Sequence, residues 1–87
     1  MNIDTLVRMA NDIGAFFAAE PDKDEAVRSV CAHLKRFWDP RMRVQIVAHY
    51  GSGGAGLSDV SRAAVALLAQ SEDPGIATKK ETKKTSD

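Results

Sequence analysis

The chain has 87 residues, 12 Lys and Arg against 12 Asp and Glu, with 44% hydrophobic and 28% charged residues. That length admits one small domain and excludes a multi-domain enzyme, and the apolar fraction excludes wholesale disorder. A formal net charge of zero argues against a generally basic nucleic-acid binder and against a polybasic membrane-surface protein.

At the start, Met1-Asn2-Ile3-Asp4 lacks the basic and apolar regions of a secretory signal. No apolar run approaches the roughly 18 residues needed to span a bilayer. The lone Cys31 makes no internal disulfide and requires no oxidising compartment. The expectation is a soluble, intracellular chain with no membrane and no nucleic-acid partner.

Leu6, Met9, Ala10, Ile13, Phe16 and Phe17 recur at three- and four-residue spacing, the signature of one helix face. Asn2 or Asp4 caps this first helix, Asp4 and Arg8 form an i,i+4 pair, and Pro21 closes it. Gly14 sits inside it and, with Ala10 and Ala18, makes a stripe of small residues. Such a stripe suits a close helix crossing, within the domain or with another chain.

Asp22 and Glu25 are spaced as a capping box for a second helix. Its apolar face is Ala26, Val27, Val30, Cys31, Leu34, Phe37 and Trp38. Asp39-Pro40 breaks and restarts the chain, as N-cap and first helical residue of a third helix. That helix presents Met42, Ile46, Val47 and Tyr50 and stops at Gly51; its Val44–Ala48 stretch is strand-like on propensity alone. After a glycine loop, Ser58 caps a fourth helix with an inner face of Val60, Ala64, Leu67 and Leu68.

The predicted fold is therefore all-α, a small bundle of about four short helices over residues 1–70. Residues 71–87, with Ile76 as their only large apolar residue, read as a disordered polar tail, because they bury too little to offset their ordering entropy.

Several motifs fail on inspection. Gly51-Ser52-Gly53-Gly54-Ala55-Gly56 has the letters of a dinucleotide fingerprint, but no second strand follows to complete a βαβ unit. The same frame continued to Ser58 resembles a phosphate-binding loop with Leu57 in place of the lysine, so nothing neutralises a phosphate. A flexible glycine loop between helices is the reading. Cys31, His33 and His49 are the thiol and imidazole groups. On a helix Cys31 and His33 point about 200° apart, and no sequence cluster supplies the four ligands of structural zinc. No catalytic, metal or cofactor-binding residue is expected.

The neutral total hides a dipole. Over residues 1–25, Arg8 and Lys23 oppose Asp4, Asp12, Glu20, Asp22, Asp24 and Glu25, a net −4. Over residues 26–58, Arg28, Lys35, Arg36, Arg41 and Arg43 oppose Asp39 alone, a net +4. Inside the positive part lies Lys35-Arg36-Phe37-Trp38-Asp39-Pro40-Arg41-Met42-Arg43, rich in the Trp, Phe, Met and Arg that populate interface cores. A core tryptophan at a helix corner, with solvated arginines around it, is the plainer reading of the same run.

Leu6 to Phe17, then His33 to Arg43, then Gly56-Leu57-Ser58 together resemble the delta subunit of NAD-dependent formate dehydrogenases. The likeness covers roughly residues 4–70, and Arg36-Phe37-Trp38-Asp39-Pro40-Arg41-Met42-Arg43 is its most specific part. The resemblance implies a non-catalytic accessory subunit of a cytoplasmic complex, dependent on molybdenum or tungsten, that oxidises formate to carbon dioxide and reduces NAD. It implies that molybdopterin guanine dinucleotide, iron–sulfur clusters and FMN reside on other subunits. For this subunit it implies a role in assembly, stability or molybdenum-cofactor insertion.

The residues expected to touch the large catalytic subunit are Arg36, Phe37, Trp38, Arg41, Met42 and Arg43, with Arg8 and Asn11 as further candidates. Trp38 and Met42 would fill an apolar pocket, and the arginines would pair with carboxylates or with phosphates of a bound pterin dinucleotide. The alternative is a self-associating module, a homodimer that pairs the Ala10/Gly14/Ala18 stripe or the Trp38 corner. Either reading suits a core of about 70 residues, which rarely supplies more than about 3–5 kcal/mol without a staple.

Overall fold

A computed structural model of the chain describes residues 2–72. They form four helices: α1 (Ile3–Phe17), α2 (Lys23–Phe37), α3 (Pro40–Gly51) and α4 (Asp59–Glu72). The all-α expectation holds, and the strand-like Val44–Ala48 stretch is helical. Helix α4 takes in Ser71 and Glu72, so the fold extends two residues past the expected boundary at residue 70. The rest of the expected tail, residues 73–87, lies outside the described residues.

Local side-chain chemistry starts each helix. The Asn2 carboxamide accepts the Asp4 N–H at 2.7 Å, satisfying one of the donors a helix N-terminus leaves open. Helix α1 ends at Phe17, four residues before Pro21, with the Ala18 N–H donating back to the Gly14 carbonyl. Asp22 accepts the Asp24 and Glu25 N–H groups at 3.0 and 3.3 Å. The reciprocal half of the expected capping box is made differently: Glu20 accepts the Asp22 N–H. Glu25 instead accepts from Arg28 at 2.8 Å, which raises the pKa of that exposed guanidinium. The expected Asp4–Arg8 pair is not formed.

Asp39 caps α3 through the Met42 N–H at 3.0 Å, with Pro40 in the first turn. Ser58 caps α4 through the Ser61 N–H at 3.3 Å.

The core is Leu6, Ala10, Val30, Cys31, Leu34, Trp38, Ile46, Leu57, Ala64, Val65 and Leu68. Helix α2 packs most extensively on α4, and α1 touches all three other helices. The buried face of α4 carries Ser61 and Val65 beside Ala64 and Leu68, so it is turned from the predicted Val60–Leu67 face by a fraction of a turn. Ser61 explains the rotation. Its hydroxyl is fully buried and donates to the Ala10 carbonyl at 2.8 Å, which meets the rule that a buried polar group finds a partner.

Gly14 lies against that same serine: a Cβ added to it would fall within 3.0 Å of Ser61 Oγ. The small-residue stripe is therefore an internal α1–α4 crossing at Ala10 and Gly14, while Ala18 is exposed. Two predicted inner-face residues turn outward. Phe16 and Phe37 are 76% and 66% exposed.

Candidate docking surface on helices α1, α2 and α3

Adjacent residues explain how the surface arises. Two neighbours on a helix differ by about 100°, which turns Phe16 and Phe17 to different sides, and Trp38 parts from Phe37 because it leaves the helix as an extended C-cap. Phe17 is the half-buried member of the first pair and packs on the core. In the second pair Trp38, 5% exposed, goes inward as the C-cap residue of α2.

The outward rings do not stand apart. Phe16 and Phe17 meet edge-to-face with centroids 5.0 Å apart, Phe17 and His33 lie 6.2 Å apart, and His33 and Phe37 4.7 Å. A groove lined by Asp12, Ile13, Phe16, Phe17 and His33 adjoins one lined by Phe17, Ser29, Ala32, His33, Arg36 and Phe37, sharing Phe17 and His33. The Arg36 guanidinium sits over the Phe37 ring at 5.8 Å, within reach of its negative face.

The expected contact residues separate into two groups. Arg36, Phe37, Arg41 and Arg8 are exposed. The other four are occupied by the fold itself. Trp38 is a core residue, because its ring fills the space where α2 ends. Met42 packs against the same core. Arg43 Nη1 donates to the Trp38 and Lys35 carbonyls, closing open acceptors at the α2 C-terminus and fastening it to α3. Asn11 is a clamp: its Nδ2 donates to the Gly56 carbonyl and its Oδ1 accepts the Ser58 N–H, both at 2.9 Å. The two surfaces named for self-association, the small-residue stripe and the Trp38 corner, are thus largely taken up inside one chain.

Sequence reasoning missed Phe16, His33 and Asp12 as parts of this surface. A signal existed, since Arg8, Asp12 and Phe16 stand four residues apart in one row, and all three are exposed.

The glycine loop is fastened on every side. Arg62 donates to the Gly53 and Gly54 carbonyls at 2.8 and 2.9 Å, and His49 Nε2 lies 2.8 Å from the Ala55 carbonyl. The Gly53, Gly54, Leu57 and Ser58 N–H groups all donate within the protein. A phosphate cradle needs such donors free, so the loop is a tied connector rather than the flexible one expected. Gly54 has φ +64°, a left-handed conformation that favours glycine, and a Cβ there would also displace the Arg62 guanidinium, 2.8 Å away at Nη1.

Removing the Asn11 clamp tests this account. Asn11→Ala is expected to lose about 1–2 kcal/mol, two partly exposed hydrogen bonds at about 0.5–1.5 each, and to speed amide exchange at Ser58. Unchanged exchange there would refute the clamp.

Among the described residues no group of three or more His, Cys, Asp or Glu is placed to hold a metal ion, and no helix is long and apolar enough to cross a membrane. Comparison with protein families gives a match over residues 5–65 to the family described as NADH-dependent formate dehydrogenase delta subunit FdsD. No curated protein and no solved structure matches the chain.

Proposed function

The chain belongs to the family of NADH-dependent formate dehydrogenase delta subunits, and from that premise we propose that it is a non-catalytic accessory subunit. On this reading it docks on the large catalytic subunit in the cytoplasm and supports assembly, stability or molybdenum-cofactor insertion. The observation that carries the reading is the α2–α3 corner. There Lys35, Arg36, Phe37 and Arg41 are all exposed, while the intervening Asp39 has one carboxylate oxygen engaged as the α3 cap. A ring flanked by exposed arginines is the composition of an interface centre.

Two observations support the reading that this chain holds none of the cofactors the family implies. In the glycine loop the Gly53, Gly54, Leu57 and Ser58 N–H groups are already bonded within the protein, and among the described residues no group of three or more His, Cys, Asp or Glu is placed to hold a metal ion. On the proposed reading molybdopterin guanine dinucleotide, iron–sulfur clusters and FMN are held by the other subunits.

The test is co-expression of the catalytic subunits with and without this chain. We expect the large subunit to co-purify with the tagged chain, and its omission to lower the yield of assembled complex or its molybdenum content several-fold. An unchanged yield and metal content, with no capture of the large subunit, would overturn the proposal.

A further inference from the structure

We draw no further inference here: the strongest candidate, the aromatic groove that Phe16, Phe17, His33 and Phe37 form between α1 and α2, carries none because nothing in the structure shows what covers it.

Discussion

Trp38→Ala is expected to unfold the isolated chain at 25 °C, while Phe37→Ala, one residue away, leaves its stability within about 0.5 kcal/mol. Trp38 is 5% exposed and belongs to the core cluster, and Phe37 is 66% exposed. Truncating a buried tryptophan costs about 3–5 kcal/mol, part lost transfer energy and part cavity. A core of this size supplies about that much in total, so no margin remains. Far-UV circular dichroism at 25 °C reads the result directly. A cooperative melt of Trp38→Ala within a few degrees of wild type would show that the ring does not hold the α2–α3 corner together. The pair also separates roles, since the Phe37 variant leaves a folded chain in which only the surface is changed.

Gly14→Ala should also destabilise the chain, against the sign that helix propensity alone gives. Alanine in mid-helix is worth about 1 kcal/mol over glycine. Here the added methyl would collide with Ser61 Oγ, a buried group already bonded to the Ala10 carbonyl. Overpacking of a tight contact costs about 1–3 kcal/mol, and a serine hydroxyl has no long flexible stem with which to retreat. The net loss is expected at up to about 2 kcal/mol, a fall in Tm of about 4–8 °C per kcal/mol. Ser61→Ala in the same chain should return part of that loss, because it removes the colliding oxygen; the coupling is measurable as a double-mutant cycle. A Gly14→Ala variant more stable than wild type would mean that α1 and α4 cross further apart than described.

What was legible in the sequence was the part set by neighbours a few residues apart. Asn2, Asp22, Asp39 and Ser58 each cap a helix as their spacing indicates, because capping is a bond between a side chain and its own next turn. The inner face of α4 was less legible, since Ser61 is polar and its burial follows from a glycine 47 positions earlier on α1. The α2–α3 corner was legible in place but not in detail. The run from Lys35 to Arg43 spans that corner, yet composition cannot say which ring of Phe37-Trp38 turns inward. That choice belongs to the packing of α2 on α4. Nor can it say that Arg43 and Asn11 bond backbone carbonyls of the fold. Those bonds join residues that only the tertiary arrangement makes neighbours.

The dominance of the α2–α4 contact has a consequence for the order of synthesis. Helix α4 supplies Ala64, Val65 and Leu68 to the core, and its Ser61 reaches back to Ala10 across 51 residues. While the ribosome has released only the first three helices, the apolar faces of α1 and α2 lack the layer they pack against. Non-local pairing of this kind waits for the chain to close on itself. The nascent protein therefore gains its folded shape only after α4 emerges, and on the proposed reading docking follows that step rather than accompanying translation of the first three helices.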